Sequence, residues 1–437
     1  MDTAMNWRAG KKIIFSVPLL AVLATTACLG PVSGGDSGSG GDVTLQFVGG
    51  QPDGYYDKAI AAFEQANPGI KVKYVSNPAS QLSQVLQARL GGKDSSIDAF
   101  TADEPKIPSM VDRGFLLPLD DLKDEADKQA SPEAVQATTF DSKLYALPLW
   151  TSTMLLYYNK DLLKKAGIAD PAMATDKRLN WEQLTADAKK AQAAGAQYGF
   201  AFEQPGRYYQ LEPLIVSAGG GTGLSGDKNL TPAIQDQGWK KALTFYQGLF
   251  SQGITPKGIQ YTQLPALFAN GKIAYFLANT PSVATFKKNA DLKFGVAPSP
   301  TFAGGKPATP TDSWALAVSP YSKHQAEAKK FISFLTLNDE GAVLSGQDIA
   351  RIPANNHAYA AWAKLIDSAG PELAGTSQLI ADELSQTAVK RPSSVGYTDF
   401  EAVVNKMIDN IGNGANVDSA LADGQAQLVN TLGRFGK

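Results

Sequence analysis

Between positions 203 and 209 the chain sets a carboxylate, an amide, a guanidinium and two phenol rings: Glu203, Gln204, Arg207, Tyr208 and Tyr209. Forked polar groups beside aromatic faces are equipment for recognition, since the forks take paired donors and acceptors while the rings cover the apolar side of a ligand. Side chains of the same kinds stand at Gln51, Asp53, Trp150, Asn279, Asp312 and Trp314. Covalent and metal chemistry have far less to work with. The chain holds one cysteine, Cys28, and two histidines, His324 and His357, so it cannot close an intramolecular disulfide or build a Cys/His metal set. A Ser-His-Asp triad is disfavoured on the same ground, and neither a metal nor a cofactor is expected.

The elements that must hold these groups follow from periodicity. Val43, Leu45 and Phe47 alternate as a strand, and Gly-Gly-Gln-Pro-Asp-Gly then forms a loop carrying Gln51 and Asp53. Ile60 and Phe63 lie on one face of a following helix, which stops at Asn67-Pro68-Gly69 before Ile70, Val72 and Tyr74 alternate again. This is a βαβ unit, and it predicts a parallel pairing with a right-handed crossover. A third strand begins at Ile97-Asp98-Ala99-Phe100 and delivers Asp103 and Glu104. Further along, strands are expected at 154–158, 198–202, 273–277 and 294–297, with helices near 159–166, 180–194, 236–253, 263–270, 323–336, 339–346, 357–367, 398–410 and 416–433. The fold class is α/β. No repeat of fixed period appears.

The 437 residues are 43% hydrophobic and 19% charged, enough for two cores of ordinary size. A net charge of -2 without a basic stripe makes nucleic acid an unexpected partner. Residues 1–28 have the layout of an export signal: Arg8, Lys11 and Lys12, an apolar stretch from Ile13 to Leu23, then small residues up to Cys28. The stretch is too short for a durable membrane span. Residues 29–42 are rich in glycine and serine, cannot bury enough apolar surface to order themselves, and read as a tether.

Several segments together resemble the family 1 extracellular solute-binding proteins of bacterial ABC importers for carbohydrates. They are Ala62-Phe63-Glu64 with Asn67-Pro68-Gly69-Ile70, Tyr158-Asn159-Lys160-Asp161-Leu162-Leu163, Trp181-Glu182-Gln183-Leu184, Phe268-Ala269-Asn270-Gly271-Lys272, and Ala328-Lys329-Lys330-Phe331-Ile332. The resemblance implies a two-lobe fold of the periplasmic-binding-protein kind, each lobe a mainly parallel sheet flanked by helices, with the ligand cleft between them. Lobe one is expected to take 43–148 and 301–336, and lobe two 149–300 and 337–437, with hinges near Pro148 and Pro300. It further implies a monomer that captures a sugar or oligosaccharide by lobe closure and delivers it to the transmembrane permease subunits. Cys28 falls where the lipobox of such lipoproteins would place the lipidated residue, with Thr25 at position −3 in place of the usual leucine. The protein is therefore expected outside the cytoplasm, anchored to the outer face of the cell membrane.

A sugar presents hydroxyls around an apolar ring face, which the forked and aromatic side chains match. Sites in open α/β sheets lie at the loops leaving the strand ends. Asp103 and Glu104 stand where family members commonly reach the ligand, although carboxylates also favour a helix N-terminus. Asp53 serves equally as a ligand group or as a cap of the next helix. Trp150 is either the floor of the cleft or a wedge in the hinge. Trp314 is expected to face the ligand, whereas Trp181 and Trp239 complete apolar stripes of helices. Arg351, in Ala-Arg-Ile-Pro-Ala, resembles a ligand-contacting segment of the family. A secreted glycoside hydrolase and a binding protein for a non-sugar solute are the alternatives. The hydrolase would need two carboxylates facing across a cleft, and adjacent Asp103 and Glu104 do not form such a pair alone. The anchor yields a direct expectation: Cys28→Ser moves the exported protein from the detergent phase to the aqueous phase on phase partition, and unchanged partition excludes lipidation.

Overall fold

The computed structural model describes residues 42–311, 313–346 and 349–435, so Cys28, most of the tether and Asp312 lie outside the described residues. Strand β1 (Val43–Gly49) pairs in parallel with β2 (Ile70–Ser76) and with β3 (Ala99–Asp103). The helix Asp57–Ala66 makes the crossover, and Gly69 at φ +91° turns the chain back after Pro68, a conformation that glycine adopts without strain. A hairpin of β4 (Thr139–Phe140) and β5 (Lys143–Leu144) leads into β6 (Leu147–Thr151), which joins the same sheet.

The chain then crosses to a second sheet through Ser152 and Thr153. Its strands are β7 (Met154–Asn159), β8 (Tyr198–Phe202), β11 (Ile273–Asn279) and β12 (Phe294–Ala297), in the order β12-β7-β11-β8. A small ribbon, β9 (Leu224–Ser225) with β10 (Thr231–Pro232), lies between them in sequence. After β13 (Thr309–Pro310) the chain returns to the first sheet as β14 (Trp314–Val318), and later as β15 (Ile352–Pro353), giving the order β15-β6-β14-β3-β1-β2. Finally β16 (Ala388–Val389) pairs with β13.

The two-lobe α/β architecture is as expected, but both sheets are mixed rather than mainly parallel. In the first, β14 is antiparallel to β3 and β6, and β15 is antiparallel to β6; in the second, β7 is antiparallel to both β11 and β12. The reason is the crossing itself. Strands β7 and β14 arrive from the other sheet and start at the edge where their neighbours end, so they run against them. The lobe limits also shift. Strand β6 stays in the first sheet through Thr151, beyond the boundary at 148, because its pairing with β14 extends to Trp150 opposite Trp314. The segment after 336 stays with the first lobe instead of entering the second, since the helix Asp339–Ser345 packs on Asp57–Ala66 and β15 extends the first sheet.

Each sheet buries apolar side chains on both faces. Leu45, Phe47, Phe63, Trp150 and Phe331 fill one side of the first, and Val48, Leu82, Leu86, Phe100 and Phe115 the other. The second is covered by Trp181, Phe202, Trp239 and Phe400 on one side and by Tyr157, Phe268, Phe276 and Trp362 on the other. Trp181 and Trp239 are core residues, as their helical stripes imply. Of the helices that escape sequence patterning, two run ten residues or more. Tyr208–Ser217 is buried nearly all round and contains Pro213, so it lacks the polar face that makes a helix legible. Thr376–Gln386 follows a left-handed Gly375, in a stretch to which no element is assigned from sequence.

Phe331 touches Phe47 and Phe63 with ring centroids 5.3 and 5.1 Å away and has no exposed surface. Phe331→Ala is expected to cost about 3–5 kcal/mol of unfolding free energy, read as a lowered midpoint in urea.

Candidate functional site

Strand directions bring two edges together. The C-terminal ends of β1, β3 and β6 and the N-terminal ends of β14 and β15 share one edge of the first sheet, which places Gln51, Asp103, Thr151, Trp314 and Arg351 side by side. In the second sheet the start of β7 and the ends of β8 and β11 share an edge, which places Met154, Glu203 and Asn279 together. Only Ser152 and Thr153 separate β6 from β7, so these edges must adjoin. The crossings lie next to one another as well: the Thr153 and Thr309 hydroxyls are 2.7 Å apart and those of Thr151 and Thr311 3.3 Å.

Two groups of polar side chains occupy this junction. In the first, Arg351 donates to the Gln51 side-chain oxygen at 3.0 Å and lies over the Trp150 ring at 5.3 Å. Arg351 also acts across the junction on the carboxylate of Glu203. Burial raises the Glu203 pKa, and hydrogen bonds from Ser282, the Asn279 backbone N–H and Gln204, with the charge of Arg351, offset part of that rise. Asn279 donates through its amide to the Tyr209 hydroxyl at 2.7 Å, and that hydroxyl also lies 2.7 Å from Ser152 Oγ. The side-chain oxygen of Asn279 is buried with no hydrogen-bond partner among the described residues.

In the second group Asp103 accepts from Arg391 at 3.0 Å and pairs with Lys106 at 3.1 Å. Burial disfavours its charge, but Arg391, Lys106 and Arg207 outweigh that and lower its pKa to about 2. The Arg391 guanidinium lies 5.1 Å from the Tyr209 ring centre, which joins the two groups through one side chain.

The expected residues therefore divide. Gln51, Glu203, Asn279 and Arg351 converge at the junction, with Arg207 near Asp103, and half-buried Trp314 stands on the same edge beside Asp103 and Trp150. Gln204 is half-buried, with its backbone N–H bonded to Gln210 Oε1 at 2.8 Å. Trp150 is a wedge, stacked on Tyr56 and almost fully buried. Tyr208 belongs to the core instead of the site. It has no exposed surface, stacks on Trp239 at 5.9 Å and gives its hydroxyl to Glu212 and to the Thr222 carbonyl. Glu104 is turned onto the loop before β14, accepting the Ser313 N–H at 2.7 Å. Asp53 is exposed, and the cap position of the next helix belongs to Tyr56, without a side-chain cap bond. Sequence reasoning missed Lys106, Ser282, Arg391 and Glu401. Ser282 and Lys106 carry a usable signal, each lying three residues past a candidate at a strand end. Among the described residues no His, Cys, Asp or Glu group is arranged to hold a metal, and no helix is long and apolar enough to cross a membrane.

The family profile described as bacterial extracellular solute-binding protein matches residues 49–342. Among individual proteins, the maltodextrin-binding protein of Bacillus subtilis is 29% identical over 313 residues, covering 70% of this chain and 71% of that one. The galactooligosaccharide-binding protein of the same organism is 27% identical over 360 residues, covering 79% and 81%. Of solved structures, an ABC substrate-binding protein of Listeria monocytogenes in complex with cycloalternan superposes with a TM-score of 0.78 at 21% identity, covering 90% of this chain and 99% of that one.

The raised pKa of Glu203 sets a pH dependence. An acid that binds its proton more tightly when folded favours folding below its unfolded pKa, and that contribution is lost as pH rises through the folded value. Glu203→Gln removes the titration. Relative to wild type, the variant is expected to gain unfolding free energy as pH rises from about 4.3, the ordinary glutamate value, towards the raised one. Denaturant melts across that interval check this, and a difference that does not vary with pH refutes it.

Proposed function

The chain belongs to the bacterial extracellular solute-binding proteins, and on that premise we propose that it captures a neutral sugar or oligosaccharide between its two lobes and hands it to the permease of an ABC importer. The observation that carries this reading is the meeting of the two sheet edges, which brings forked polar groups from both lobes to one place. Arg351 and Gln51 come from the first sheet, and Glu203, Tyr209 and Asn279 from the second. Trp314 supplies an aromatic face at the same edge, suited to the apolar side of a pyranose ring. The names of the relatives point the same way, since two of them bind oligosaccharides.

The reading as a binding protein in place of a hydrolase rests on how the carboxylates are used. Both oxygens of Glu203 face protein donors, one Ser282 and the other the Asn279 N–H, while Asp103 is held between two cations. A glycosidase needs one carboxyl free to give a proton to the leaving group. We further assign the chain to the outer face of the membrane, anchored through Cys28, acting as a monomer, with lobe closure about the crossings at 152–153 and 298–311.

Thermal denaturation against maltooligosaccharides and galactooligosaccharides tests the proposal. A ligand at a hundred times its Kd stabilises the native state by about 2.7 kcal/mol, a clear rise in melting temperature. Trp314→Ala is expected to weaken every accepted sugar, whereas Arg351→Ala changes their ranking, because it leaves particular ligand hydroxyls unpaired at about 1–3 kcal/mol each. A panel in which no sugar raises the melting temperature overturns the reading.

A further inference from the structure

The second group at the junction contains more than Asp103 and Arg391. Lys106 lies 2.9 Å from Glu401, and Arg391 lies 3.4 Å from the other oxygen of the same carboxylate. Two anions and two cations thus alternate around a closed square, in which Asp103 and Glu401 each face both Lys106 and Arg391. All four side chains are at most 13% exposed. Tyr397 completes the surroundings, giving its hydroxyl to Glu401 at 3.2 Å.

The corners belong to different bodies. Asp103 ends β3, and Lys106 closes the single turn after it, which leads into Ile107 of the first lobe's core. Arg391 and Glu401 flank the start of the helix Tyr397–Gly412, whose Tyr397, Phe400 and Val404 pack in the second lobe's core. A neighbouring bond runs the same way, from Ser109 Oγ to the Val395 carbonyl at 2.7 Å.

We infer that this square is an ionic latch between the lobes, and that Arg391 and Lys106 are positioning residues for ligand capture by holding the two edges face to face. The charge arrangement suits a reversible device. Separating the lobes breaks the Asp103–Arg391 and Lys106–Glu401 contacts, yet leaves Asp103 with Lys106 on one side and Arg391 with Glu401 on the other. Each half is then neutral, so opening strands no single buried charge, the costly outcome when an ion pair loses one partner. Closing makes two cross-lobe pairs in a site poor in water, where they are worth more than at the surface. Arg391 also covers the Tyr209 ring, so the latch is ordered together with the Tyr209 hydroxyl and with the Ser152 hydroxyl and Asn279 amide bonded to it.

This inference rests on the two-lobe capture reading but is tested without any ligand, so its failure is separable from failure of the sugar assignment. The full chain carrying Cys28→Ser, Lys73→Cys and Lys288→Cys places spin labels on exposed positions of the two lobes. Pulsed dipolar spectroscopy then gives the inter-lobe distance distribution. Glu401→Gln and Lys106→Met are each expected to move weight from short to long distances by about fivefold or more. The double variant moves it no further than the stronger single one, because either change already opens the square. Added salt shifts the unsubstituted protein in the same direction and the variants less. Distributions unchanged by both substitutions, a shift to shorter distances, or effects that simply add would each overturn the latch.

Discussion

Two residues between β6 and β7 constrain everything else in this molecule. A link as short as Ser152–Thr153 leaves no room for the chain to travel, so the sheet it leaves and the sheet it enters must meet at adjoining edges. The return from β12 to β14 is longer, but it is held beside the first crossing by the pairs Thr153–Thr309 and Thr151–Thr311. Strand direction is then no longer free. Arriving strands run against their neighbours, which makes both sheets mixed and collects the ends of many strands on one line. A site with contributions from both lobes follows from connectivity before any side chain is considered.

What fills that line is decided by the cost of burying charge. An isolated carboxylate cannot remain ionised out of water; it either finds cations or rises in pKa. Asp103 takes the first course and Glu203 the second, although both sit at strand ends and are similarly buried. The difference lies in what faces them: Asp103 has Arg391 and Lys106 within hydrogen-bond reach, whereas Glu203 is held by uncharged donors, with Arg351 acting from further off. Identical chemistry therefore yields a structural anchor at one position and a titratable group at the other.

The parts legible in sequence are those set by local periodicity. Val43, Leu45 and Phe47 announced β1, the Asn67-Pro68-Gly69 stop marked the crossover, and loops after strands pointed to Gln51, Glu203 and Asn279. Tyr208 misled because it stands beside Glu203 and Tyr209 in sequence, while the first turn of a helix carries its ring away onto Trp239. The partnership of Asp103 with Arg391 spans 288 positions and has no local signature. The reversed strands were equally hidden, since alternation gives a strand its faces but not its direction.

Burying polar atoms at the junction also bears on how closure and ligand are coupled. When the edges meet, polar atoms that water had satisfied become buried, and any left unpaired costs about 1–3 kcal/mol. The ionic square supplies pairing for the charged atoms from within the chain, so closure without ligand is not forbidden by charge. The Asn279 oxygen, buried without a partner among the described residues, is a cost that the square does not offset. Closure is therefore poised by groups that the protein satisfies itself and completed by the contacts that a ligand supplies. A binding protein that must both grip and release needs those two sets to be separate, because a ligand shifts the equilibrium only by its differential affinity for the closed form.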